Sequence, residues 1–177
     1  MSPMSDPIVI ALPRPCLVVL VGAAGAGKST FAARHFAAGS VLSSDAFRER
    51  IAGDPGDQRA TAPAFAALHR AVARRLAAGE TTVVDATSAT VRARRVLVDI
   101  ARAAGAPAVA IVLDLPETLV LARNAGRGGL AVPTEVVLRH LAAVAATRDE
   151  GRLEGEGFWA VHRLAEAASV ASVIVEA

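Results

Sequence analysis

One octapeptide constrains this chain more than any other feature: Gly22-Ala23-Ala24-Gly25-Ala26-Gly27-Lys28-Ser29, with Thr30 behind it. It fits the pattern G-x-x-x-x-G-K-[ST]. It follows the unbroken apolar run 16–21, which reads as a buried parallel strand, and precedes a segment that reads as a helix. Glycines let backbone N–H groups turn inward around an anion, and the helix N-terminus behind them adds a favourable dipole. In such a loop Lys28 reaches the β- and γ-phosphates of a nucleotide and the Ser29 hydroxyl holds Mg²⁺. Gly22, Gly25, Ala26, Gly27, Lys28, Ser29 and Thr30 are the candidate nucleotide-binding residues.

Further apolar runs read as strands over 41–43, 81–84, 107–113 and 158–161. Helical patterns fill the intervals. They run over 28–38 with Gly39 as the closing cap, 46–51 capped by Ser44 or Asp45, 61–78 with Phe65, Leu68, Val72 and Leu76 on one face, 89–104 closed by Gly105, 116–124, and from Pro133 to about 147. Val170, Val173 and Ile174 fit a helical stripe better than a strand. Residues 53–59 and the glycines 126, 128 and 129 read as loops, and 1–13 as a loose lead-in to a single domain over 14–177. Strands alternating with helices predict an α/β fold, a parallel sheet covered by helices on both faces.

The composition narrows the classes of function. At 177 residues and 53% hydrophobic, the chain is long and apolar enough to bury about 70% of its unfolded surface in one core. A single cysteine, Cys16, excludes an internal disulfide and fits a reducing cytoplasm. Mean hydropathy is +0.43, yet Pro13, Arg14 and Pro15 interrupt the N-terminal apolar stretch. No run reaches the roughly 18 apolar residues of a spanning helix, so no membrane association is expected. Aromatic residues make up 3%, too few to stack successive bases on exposed rings. Net charge is +2, and Lys28 is the only lysine among 19 Lys and Arg. Arginine suits bidentate phosphate contacts.

Polar residues at strand ends supply the remaining candidates, because ligands of parallel sheets bind at the C-terminal ends of the strands. Asp45 ends the second strand, where a carboxylate takes a proton from an attacking hydroxyl, or alternatively caps a helix. Arg48, one turn later, is placed to grip an anion. Asp85, in Val-Val-Asp-Ala-Thr, stands where a carboxylate supports Mg²⁺; Asp114, in Leu-Asp, is its rival. Arg123 and Arg127 flank Gly126 and are placed to close over a triphosphate. Arg92, Arg94 and Arg95 read as the wet face of a helix, or as a polyanion contact. His35, His69, His140 and His162 show no metal-ligand spacing and are read as non-catalytic. Cys16, Trp159 and the phenylalanines are expected in the core.

Taken together, these residues resemble the 5′-OH polynucleotide kinase domain of bacterial end-healing RNA repair enzymes. The resemblance rests on GAAGAGKSTFA, on SSD followed by Arg48, on Asp57-Gln58, on Phe65 with Leu68-His69, on VVDAT, LDLP and RNAGR, and on Gly157-Phe158; it covers roughly 14–177. It implies a P-loop kinase fold with an arginine-bearing lid, and transfer of the γ-phosphate of ATP to a 5′-hydroxyl of RNA or DNA with Mg²⁺. It further implies that Asp45 is the general base, that Arg48 holds the acceptor's 3′-phosphate and that Arg123 and Arg127 clasp the ATP phosphates. Two departures stand out: Ser88 occupies a position where the family usually has asparagine, and the lid after Arg127 is poor in charge. A kinase of a small metabolite or antibiotic hydroxyl is the alternative on the same scaffold. A regulatory ATPase is the third reading, against which Asp45 with Arg48 argues, since a switch needs no acceptor base.

Overall fold

The computed structural model describes residues 8–54, 59 and 61–176. In chain order the elements are β1 (Val9–Ala11), β2 (Leu17–Val21), α1 (Lys28–His35), β3 (Val41–Ser43), α2 (Ser44–Ala52), α3 (Thr61–Ala77), β4 (Thr82–Asp85) and α4 (Val91–Ala103). There follow β5 (Ala108–Leu113), α5 (Glu117–Ala125), α6 (Thr134–Ala145), α7 (Arg152–Gly155), β6 (Ala160–Leu164), α8 (Ala167–Ser172) and β7 (Ile174–Glu176). Five strands form one parallel sheet in the order β3-β4-β2-β5-β6. Every residue of β2, β4 and β5 is buried, which is why these strands carry continuous apolar runs rather than an alternation. Successive residues point to opposite faces. Val18, Leu20, Val109 and Ile111 meet Phe31 of α1, Val120 of α5 and Val137 of α6. Leu17, Val19, Ala110 and Val112 meet Leu68 and Val72 of α3 and Leu97 of α4. From β2 the chain goes to β3 and β4 on one side and then to β5 and β6 on the other, so the loop after β2 lies beside the point where strand order reverses.

Several expectations are corrected. The lead-in contains β1, which pairs in parallel with β7, and Ile10 is fully buried. The helical stripe at the C-terminal end divides into α8 and β7, because Ile174 to Glu176 complete that pair. The last strand of the large sheet is 160–164, not 158–161, and it leaves Trp159 largely solvent-exposed at the strand entrance rather than in the core. α1 ends at His35, before Gly39, and the Ser43 hydroxyl caps α2 by accepting from the Ala46 N–H, in place of Ser44 or Asp45. Asp57 and Gln58 lie outside the described residues.

The arginine cluster divides. Arg92 and Arg95 face solvent, whereas Arg94 is 1% exposed. Its Nε and Nη2 donate to the two Glu156 carboxylate oxygens at 2.7 Å each, and Nη1 donates to the carbonyls of Ser88 (3.2 Å) and Ala89 (2.5 Å). Ser88 is the one described non-glycine residue with a positive φ, +44°. Asparagine tolerates that left-handed region better than serine does. Removing one partner of a buried pair strands the other's charge, so Glu156→Ala should lower unfolding free energy by about 3–5 kcal/mol in urea titration. Asp99→Ala, which breaks an exposed pair with Arg102, should cost under about 1 kcal/mol.

Candidate active site

The loop between β2 and α1 is held from three sides. Gly22 N–H donates to the Thr87 carbonyl at 3.2 Å, tying the loop to the turn after β4. Gly25 (φ +86°) lies so close to α5 that a Cβ there would sit 2.5 Å from the Val120 carbonyl and 3.0 Å from Asn124 N. Gly27 (φ +93°) precedes α1 and supplies no side-chain cap, and the first turn of α1 contains no acidic residue. Lys28 is buried, its Nζ donating to the carbonyls of Gly22 (2.9 Å) and Ala23 (2.8 Å). Ala26 is buried, while Ser29 and Thr30 lie at the open side.

Strand register brings the acidic candidates to this loop. β3 pairs with β4 so that Ser43 lies opposite Asp85, and β4 lies beside β2. Asp85, Ser29, Lys28 and Asp45 therefore converge at one end of the sheet. Burial raises the Asp85 pKa, and the neighbouring Ser29 hydroxyl together with the Lys28 charge opposes the shift. Burial also lowers the Lys28 pKa to about 8, against the attraction of Asp85 and Asp45 and with a further push from Arg127. Hydroxyl and carboxylate are hard oxygen donors of the kind Mg²⁺ takes. Among the described residues no group of three His, Cys, Asp or Glu forms a metal cage. The donor set fits an ion held mainly by phosphate and water.

At the mouth, Arg48 Nη1 donates to Asp45 Oδ1 at 2.6 Å; Asp45 is half exposed and Arg48 is 17% exposed. From α5, Arg123 Nη1 would be 3.6 Å from a Cβ at Gly27, so its guanidinium lies along the phosphate loop. Arg127 is in electrostatic reach of both Lys28 and Asp85. Asp114 is engaged elsewhere. Arg148 Nε and Nη2 (2.8 and 2.9 Å) and Arg163 Nη1 (3.0 Å) hold its carboxylate, and the hydrogen bond from Arg148 keeps its pKa below the usual range. His140, read from the sequence as non-catalytic, lies on the inward stripe of α6 with Val137 and Val144. Burial lowers its pKa, and the charges of Lys28 and Arg139 lower it further.

A model of the AAA domain matches residues 17–150, and the chain belongs to that family. The Pnkp1/Rnl/Hen1 RNA repair complex contains a similar chain, with a TM-score of 0.66 at 23% identity over 78% of this chain and 47% of that one. This chain thus spans about half the length of that repair protein. A gluconokinase from Sinorhizobium meliloti 1021 matches with a TM-score of 0.56 at 21% identity, covering 92% and 89% of the two chains. The APS kinase CysC of Mycobacterium tuberculosis, in complex with AMPPNP and APS, matches at 0.51 and 19%, covering 90% and 92%. No curated protein matches in sequence. The fold is that of the P-loop kinases, a parallel five-stranded sheet flanked by helices, and the gluconokinase and the APS kinase share it.

Lys28 yields a pH prediction. With its pKa near 8, it gives up a proton in mildly alkaline solution, and triphosphate oxygens drawn against it would restore that proton. Nucleotide binding at pH 8.5–9 should take up a proton, seen by calorimetry as an enthalpy that varies with the buffer's ionisation heat. Affinity should fall by up to about tenfold per pH unit above 8. The folding linkage has the opposite sense: between about 8 and 10.5 the unfolded chain holds the proton that the folded chain has released, so stability rises with pH there.

Proposed function

We propose that the chain is an ATP- and Mg²⁺-dependent kinase of polynucleotide 5′-hydroxyl ends. The observation that carries this reading is the Asp45–Arg48 pair at the mouth of the phosphate loop, a carboxylate and a guanidinium one helical turn apart and partly open to solvent. An enzyme that only hydrolyses or senses a nucleotide has no use for that pair. An alcohol acceptor does: the carboxylate takes the hydroxyl proton and the guanidinium holds an anionic group of the same acceptor.

The backbone of Gly22, Gly25, Ala26 and Gly27, with Thr30, cradles the phosphates. Lys28 leaves the loop carbonyls for the β- and γ-phosphates, and Arg123 and Arg127 neutralise charge on the transferred group. Ser29 and Asp85 would hold Mg²⁺, which would supply positive charge against the phosphates. Asp45 takes the proton as the acceptor oxygen bonds to the γ-phosphorus. The bond to the β–γ bridging oxygen breaks, and ADP leaves with that electron pair. Arg48 holds the phosphate 3′ of the attacking nucleoside. The contact lies on the sugar–phosphate side, so base preference should be slight.

Asp45→Asn keeps size and loses the base. Turnover should fall roughly 10²–10⁴-fold with ATP affinity retained, and near-normal turnover would remove Asp45 from the chemistry. Lys28→Ala should weaken ATP binding and abolish transfer. Acceptor class is read by offering labelled ATP with a nucleoside, its 3′-monophosphate, a short 5′-OH oligonucleotide and a panel of sugar and amino alcohols. The 3′-monophosphate and the oligonucleotide should be phosphorylated and the bare nucleoside should not. Preference for a small alcohol would replace this reading with a metabolite kinase, and ATP hydrolysis with no acceptor product would replace it with a nucleotide-driven switch.

A further inference from the structure

Asn124 stands between the two lid arginines on α5, and it is 4% exposed. A carboxamide at that depth must have both ends satisfied. Its Nδ2 donates to the Val132 carbonyl at 2.7 Å, and its Oδ1 accepts from the Val132 N–H at 3.1 Å. This two-point pairing joins the last turn of α5 to the residue two positions before α6 and closes 125–131 into a loop. Arg127 lies inside it, beside the short 3₁₀ turn Gly128–Leu130. The same residue touches the phosphate loop from its other side, since a Cβ at Gly25 would meet Asn124 N at 3.0 Å and Asn124 Cβ at 3.2 Å. Main chain and Cβ bear on the phosphate loop, and the carboxamide grips the far end of the lid.

We propose that Asn124 is a positioning residue that sets Arg127 relative to Lys28 by clamping the base of the lid at Val132. It touches neither nucleotide nor acceptor. A loop free at its base samples many arrangements, whereas one pinned within a few ångströms of the phosphate loop holds its arginine near a single position before any ligand arrives. The proposal rests on the reading of Arg127 as a phosphate ligand. It is independent of which alcohol accepts the phosphoryl group.

The test is a double-mutant cycle on the full chain with a non-hydrolysable ATP analogue and Mg²⁺. Asn124→Ala and Arg127→Ala should each weaken the analogue roughly tenfold or more, and the double variant should be no weaker than Arg127→Ala alone. Amide exchange over 126–132 should speed up in Asn124→Ala, with slow exchange kept in β2 and β5. If Asn124→Ala does not fold, Asn124→Asp, which keeps the acceptor and loses the donor to the Val132 carbonyl, takes its place in the cycle. Additive losses, or unchanged exchange in the lid, would overturn the proposal and leave Asn124 as a packing residue. Normal analogue affinity in Arg127→Ala would overturn the lid reading and the proposal together. Whichever acceptor emerges from the transfer assay leaves both outcomes readable.

Discussion

The close approach of α5 to the phosphate loop governs the rest of the site. At Gly25 the two backbones lie nearer than any side chain permits, and the left-handed φ there adds a second barrier to substitution. Because α5 is pressed against that glycine, Arg123 lies along the loop and Arg127 enters the field of Lys28. The hydrogen bond from Gly22 to Thr87 fixes the opposite side and with it the height of Asp85. The candidate constellation follows from where backbone can touch backbone.

The local parts of this arrangement were legible in the sequence. Glycines and a lysine between an apolar run and a helix specify the phosphate loop within a dozen residues, and the continuous apolar runs of β2, β4 and β5 mark strands buried on both faces. The distant parts were not. Asp85 and Asp114 look alike at two strand ends; what separates them is Arg148 and Arg163, 34 and 49 positions from Asp114. Arg94 sits between two solvated arginines, and its partner Glu156 is 62 positions away. β7 is a strand because β1 waits beside it, and the three residues of each carry too little pattern to say so alone.

Ser88 shows how one misfitting residue is carried by its surroundings. A serine at φ +44° costs roughly 1–2 kcal/mol relative to right-handed backbone. The Arg94 guanidinium, anchored by Glu156, holds that carbonyl and the next in place. The turn that carries Asp85 and Thr87 toward the phosphate loop is thereby stiffened from behind, by a largely buried charge pair. Rigid support behind a site lets its charged groups keep their positions without relaxing toward one another.

Lys28 is the chain's only lysine, and burial brings its pKa down to about 8. All other side-chain cations are arginine or histidine, so the phosphate loop owns the sole side-chain amine of the molecule. Reagents that acylate or reductively alkylate amines therefore have one internal target, partly unprotonated in mildly alkaline solution and covered whenever phosphate occupies the loop. Covalent labelling of that side-chain amine becomes a footprint of the phosphate loop, told apart from the terminal α-amine by its place in the sequence.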